Sequence, residues 1–189
     1  GKALSHTINS TMMRVELPTP MHTGDKFSFN IQWWYNVNNH VEEGGRSGFE
    51  YFAEEDNKIY VMAQFYPRMA VYNDVEGWQN AQFFGRDEFA LPFGNFEVNI
   101  TVPADHILDG TGKLMNRKDV FTKTMMDRYE KAKKSYEEPV VIVTQDEAEV
   151  AQKSKSTKTK TWKLYAENVR DFGWASSRKF IWDMMAVKI

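Results

Sequence analysis

The chain has 189 residues, of which 42% are hydrophobic and 14% aromatic, enough material for one core of ordinary size. Twenty-four basic side chains face twenty-six acidic ones, a net charge of -2, so no global field draws the protein to nucleic acid or to an anionic membrane. Cysteine is absent, which excludes a disulfide framework, a thiolate zinc site and a cysteine nucleophile. No apolar run reaches the roughly 18 residues that span a bilayer, and "GKALSHTINS" contains no signal-type apolar stretch.

In chain order, the first element is the strand "MMRVELPTP", with Met13, Val15 and Leu17 alternating against Met12, Arg14 and Glu16. The segment "KFSFNIQWWYNVN", residues 26–38, alternates more cleanly. Phe27, Phe29, Ile31, Trp33, Tyr35 and Val37 share one parity, which predicts a long half-buried strand. "NKIYVMAQFY" and "PVVIVT" are continuously apolar, the pattern of strands covered on both faces. "NFEVNITVP" and "TKTWKLYAENV" alternate again, the first ending at a proline, which has no amide for a ladder. Turn signals at "TGD", "EEGGRSG", "EEDN" and "GTG" separate these runs. The fold class expected is mainly β, an antiparallel saddle or sandwich of two sheets in a single domain over residues 1–189.

One segment departs from period two. In "DVFTKTMMDRYEKAKKSYEEP", Phe121, Met125, Tyr129, Ala132 and Tyr136 fall on one helical face, with Asp119 as N-cap and Pro139 as terminator. This gives a helical insert over about 119–137. Polar "QDEAEVAQKSKSTKTK" reads as an exposed excursion between strands, and "KSKSTKTKTWK" as a solvated loop, since it directly follows "QDEAE".

Motifs that carry chemistry are scarce. His6, His22, His40 and His106 are far apart, and none stands in HExxH or another zinc-ligand spacing; each reads as a surface or strand-end residue. "GGRSG" lacks the lysine of a phosphate loop. The carboxylates of "NDVEG" (Asp74, Glu76) and "GRDE" (Asp87, Glu88) offer hard oxygen ligands, but their spacing does not match the EF-hand loop. Trp33, Trp34, Tyr35, Trp78, Phe83 and Phe84 are candidates for a sugar-stacking face, against the plainer reading that large rings fill the core. Gln64, a polar residue inside "VMAQFY", is on pattern alone a core amide satisfied by neighbouring backbone.

Taken in order, five segments resemble the amino-terminal β-domain of the aminopeptidase N family of zinc metallopeptidases. "VELPTPMHTGDKFSFNIQW" is similar to its LP-x-P strand-turn-strand, and "GGRSGFEYFAEEDNKIYVMAQFYP" to a glycine-aromatic strand, a turn, and a strand ending in glutamine. "RMAVYNDVEG" stands where the family has an arginine-aromatic turn with a DEP-like sequence; here the turn is shorter and reads "NDVEG". "FGNFEVNITVPADHILDGTGKL" resembles the family's next strand and hairpin, and "KTKTWKLYAENVRDFGWASSRKF" the strand pair that leads into the catalytic domain. The similarity runs over residues 11–185 except the insert at 117–157, a form found in large bacterial members.

The resemblance implies a domain that is itself noncatalytic. In the family, the zinc of HExxH and the GxMEN loop that binds the substrate amine follow this domain, and neither motif occurs here, so the chain is expected to be a fragment of a larger peptidase; the form it resembles is commonly exported, while the composition leaves the compartment open. The implied partners are its own catalytic domain beyond Ile189 and the amino terminus of a peptide substrate, with zinc held by the parent enzyme and no cofactor in the fragment. By position Gln64 matches the family's substrate-contacting glutamine, whose amide donates and accepts without bringing a charge into the cavity. An exposed apolar patch where the catalytic domain docks follows as a further expectation. The alternative is a freestanding β-sandwich that binds carbohydrate or protein, in which Trp78 would sit on an exposed aromatic face.

Overall fold

A computed structural model describes residues 2–84 and 90–188. Thirteen strands and four short helices are found among the described residues. In chain order these are β1 (His6–Asn9), β2 (Met12–Val15), α1 (His40–Glu43), β3 (Gly48–Phe52), β4 (Asn57–Met62), β5 (Tyr72–Asn73), β6 (Gly77–Trp78), β7 (Gly94–Pro103) and β8 (Ile107–Gly110). They continue with β9 (Lys113–Leu114), α2 (Arg117–Val120), α3 (Lys123–Ala132), β10 (Val140–Val143), α4 (Gln145–Ala151), β11 (Thr159–Val169), β12 (Trp174–Ser177) and β13 (Trp182–Met184). All strand pairs in these sheets are antiparallel, as the mainly-β reading expects. The chain divides into one unit of Gly1–Tyr35 and Tyr66–Pro92 and another of Asn36–Phe65 and Phe93–Ile189.

The first unit carries the hairpins β1-β2 and β5-β6. Its second hairpin turns through Asp74–Glu76, where the side-chain oxygen of Asn73 accepts from the amides of Val75 (3.0 Å) and Glu76 (2.8 Å). Gln82 ties the first hairpin down, its oxygen accepting from the Thr11 amide at 2.9 Å and its amide donating to the Asn9 carbonyl at 2.9 Å. No described residue of this unit is buried.

The second unit holds the core. Its largest sheet runs β3-β4-β12-β8, and a second runs β7-β11-β9. Strands β7 and β11 match the alternating runs read from the sequence. Trp162, Leu164 and Ala166 are buried in a row on β11, and Ile100 and Val102 lie beside them on β7. The hairpin from β8 to β9 passes close enough to β11 that a side chain at Gly112 (φ +92°) would meet the Tyr165 carbonyl at 2.4 Å. A smaller layer forms where α3 packs Met125 and Ala132 on Ile142 and Val143 of β10. Phe121 joins the two layers, its ring 6.1 Å from Trp162, 5.8 Å from Tyr129 and 5.6 Å from Trp182.

Four local expectations are corrected. Residues 26–38 form no strand, because alternation supplies a face but a strand also needs a neighbour's ladder, and among the described residues no strand forms one with this segment; both parities stay exposed or half-buried. The helical insert is two pieces, and Thr122, not Asp119, caps the longer one through a bond from the Met125 amide. Lys133 ends that piece well before Pro139. Residues 145–151 of the polar excursion are helical, closed by a capping box between Thr144 and Glu147. Val61 on β4 and Val141 on β10 are exposed, so neither strand is covered on both faces.

Candidate functional site

Gln64 lies in the second unit, just beyond the end of β4. The strand stops at Met62, which pairs with Trp174 of β12, and Ala63 is held by Ser47. The Ser47 hydroxyl lies 3.0 Å from the Ala63 carbonyl and 3.2 Å from the Val61 carbonyl, and it accepts from the Ala63 amide at 2.9 Å. On the other side Phe65 sets its ring edge-on to Trp174, with centroids 6.2 Å apart. Between these anchors Gln64 takes the left-handed conformation, φ +55°, uncommon for a residue with a side chain.

This geometry corrects the reading of Gln64 as a core amide inside a strand. The left-handed kink turns the residue out of the ladder; its side chain is exposed and has no hydrogen-bond partner among the described residues. The strand ending in glutamine therefore ends two residues earlier than expected. Held on both sides and unpaired, the amide can donate to a carbonyl and accept from an ammonium without first breaking an internal bond. Backbone conformations of this cost, on the order of 1 kcal/mol, concentrate at ligand-contacting positions.

The other candidates separate. His6 and His22 are exposed and His40 opens α1, whereas His106, read as a surface or strand-end residue, is buried. That correction has a local cause. The His106 Nδ1 shares a 2.8 Å hydrogen bond with the Ser176 hydroxyl, and the Tyr60 ring packs 6.2 Å away. Next to it, one oxygen of Asp105 accepts from Arg178 Nε (2.8 Å), the Ser154 hydroxyl (2.5 Å) and the Ser156 amide (2.7 Å).

Burial alone would raise the Asp105 pKa, but those donors hold its carboxyl well below the usual carboxylate range. Burial pushes His106 down to about 4, helped by Arg178 and Lys160 and opposed by Asp105. Burial likewise lowers Lys160 to about 8, against the pull of Asp105. Ser176, His106 and Asp105 resemble a nucleophile-base-acid set in composition only. The serine and histidine are closed to solvent, and the carboxylate is bonded to arginine, so the cluster braces β8 against β12. Sequence spacing carried no sign of it, because its members come from residues 105 to 178.

Asp74 and Glu76 sit on the β5-β6 turn; Asp87 and Glu88 lie outside the described residues. Among the described residues no three His, Asp or Glu side chains come together as a metal site. None of the described helices is long and apolar enough to cross a membrane. Large apolar side chains are exposed in the first unit, including Trp34, Val75 and Phe84, and the rings of Tyr72 (64% exposed) and Trp78 (56%) meet edge-on at 5.3 Å. Compared with known proteins, the chain matches no family model, no curated protein and no solved structure.

Proposed function

We propose that this chain is the noncatalytic amino-terminal β-domain of a zinc aminopeptidase and that Gln64 presents its amide to the amino-terminal residue of a peptide substrate. The supporting observation is the exposed, unpaired amide of Gln64 on a left-handed kink anchored by Ser47 and by Phe65 against Trp174. A second support is the first unit, whose apolar side chains include no buried one among the described residues. Such surface is the kind that a neighbouring domain covers. In this reading the zinc, its ligands and the general base belong to the catalytic domain, and the present chain walls one side of the cavity and contributes one neutral polar contact.

The test is hydrolysis of amino-acyl chromogenic substrates by the complete gene product. Activity that a chelator removes and zinc restores supports the reading, with residues 1–189 alone remaining inactive. Full activity of residues 1–189 alone, or a complete product without chelator-sensitive activity, overturns it.

The exposed Tyr72 and Trp78 pair supports a second reading, a binding module for carbohydrate. Its rings stand at 71° to one another and form no flat platform for a pyranose, so it ranks behind the first. Glycan binding by residues 1–189 that is lost on Trp78→Ala would decide for it.

A further inference from the structure

The β3 side of the largest sheet in the second unit is an open edge. Among the described residues only its start is covered: Asn38 accepts from the Phe49 amide at 2.9 Å, and Asn39 forms a single parallel bridge to Phe49. The close approach depends on Gly48, where any side chain would meet the Asn38 carbonyl at 2.4 Å. The chain then turns into α1 and leaves the edge, with the Asn39 side chain capping the Val41 amide.

Strand geometry fixes what lies beyond that point. The Phe49 amide points away from β4, so the backbone amide and carbonyl of Tyr51, two residues on, face the same open edge. Beside them lies an open groove of about 410 Å³ lined by Asn39, Glu42, Phe49, Tyr51, Asp56 and Lys58. Phe49, Tyr51 and Lys58 share one sheet face, since Tyr51 is directly opposite Lys58 and side chains alternate along each strand.

The groove offers charge of both signs. Lys58 stands 4.2 Å over the Phe49 ring and has no carboxylate partner among the described residues. Glu42, from α1, has no cationic partner among them either. Asp56, in contrast, is occupied by the Tyr51 hydroxyl (3.1 Å) and by Lys155 (3.5 Å).

We propose that this groove is a peptide-binding site in which an extended segment adds as a strand to the free edge of β3. Its backbone bonds the amide and carbonyl of Tyr51. A basic side chain on it meets Glu42, and an acidic side chain two positions away meets Lys58. Main-chain bonds supply affinity in such strand addition, and the charge pair sets register and direction. The site is independent of Gln64, and nothing in it requires the peptide to be cleaved.

The test uses the isotope-labelled chain and the capped peptide acetyl-Lys-Val-Glu-Val-Thr-amide, followed by amide chemical shifts. Shifts confined to Asn39–Glu42, Phe49–Phe52 and Lys58 are expected, with slowed hydrogen exchange at the Tyr51 amide. Peptides methylated on every second backbone nitrogen, in the two alternate phases, separate the mode of binding: one phase abolishes the shifts and the other keeps them. Lys58→Gln, which leaves the remaining spectrum unchanged, weakens binding about fivefold, the value of one partly exposed ion pair. Absence of shifts at these residues, loss that does not depend on methylation phase, or the same shifts with maltotriose in place of peptide overturns the proposal.

Discussion

The imidazole Nδ1 of His106 lies 2.8 Å from the Ser176 hydroxyl, and both side chains are sealed from solvent where β8 pairs with β12. The other ring nitrogen, Nε2, is buried without a hydrogen-bond partner. A neutral ring tolerates that position and a charged ring does not, since Arg178 and Lys160 add positive charge around it, against only Asp105, with Tyr60 as the neutral neighbour.

From this follows a pH dependence with a definite sign. The folded protein holds His106 neutral down to about pH 4, whereas the unfolded chain takes up the proton near 6.5, so protonation favours unfolding. Stability is greatest above pH 6.5 and falls as the pH drops toward 4. Asp105, also lowered in the folded state, adds its own loss below the ordinary carboxylate pKa of 3.8. Urea unfolding midpoints between pH 7.5 and 4 check this; His106→Gln flattens the loss between 6.5 and 4.

Asp105→Ala removes the acceptor of Arg178, Ser154 and Ser156 together, leaving a mostly buried guanidinium without its carboxylate. The expected loss is about 3 kcal/mol in urea unfolding at pH 7. Asp105→Asn keeps one acceptor oxygen and loses less. Equal losses for the two variants would mean that the charge, not the acceptor geometry, holds the cluster.

At Gln64 the backbone and the side chain are separable. Gln64→Gly relieves the left-handed conformation and leaves thermal stability unchanged or raised by up to about 1 kcal/mol. Gln64→Val places a β-branched side chain at φ +55° and lowers stability by about 1–2 kcal/mol. Thermal unfolding of the pair distinguishes a strained kink from an ordinary loop.

Core and cap substitutions scale differently. Trp162, fully buried against Phe121, costs about 3–5 kcal/mol when replaced by alanine. Thr144→Ala removes one side of the α4 capping box and costs about 1 kcal/mol. Denaturant unfolding of both variants gives the comparison.

The parts legible in sequence are those where local pattern and long-range pairing agree. Strands β7 and β11 alternate, and each finds the other as partner, so their bounds and buried rows followed from period two. Residues 26–38 carry an equally clean pattern and form no ladder, because pattern alone does not supply a neighbour. Helix α4 had a readable signal in Thr144 and Glu147, three residues apart, which the polarity of the stretch obscured.

For the candidate site, sequence position singled out Gln64 but placed it in a strand and in the core. The kink depends on Ser47, 17 positions earlier, and on Trp174, 110 positions later, contacts that no local spacing encodes. The cluster of Asp105, His106, Ser154, Ser156, Ser176 and Arg178 is illegible for the same reason. The edge groove at β3 combines a loop, a short helix and a hairpin.

Steady-state kinetics of the complete gene product carrying Gln64→Ala tests the central claim most directly. If the chain is the amino-terminal domain of a zinc aminopeptidase and Gln64 bonds the substrate, removing that hydrogen bond should lower kcat/KM for amino-acyl substrates by about 10- to 100-fold, with zinc content and folding unchanged. A kcat/KM equal to that of the unsubstituted enzyme would contradict the assignment of Gln64 to the substrate cavity.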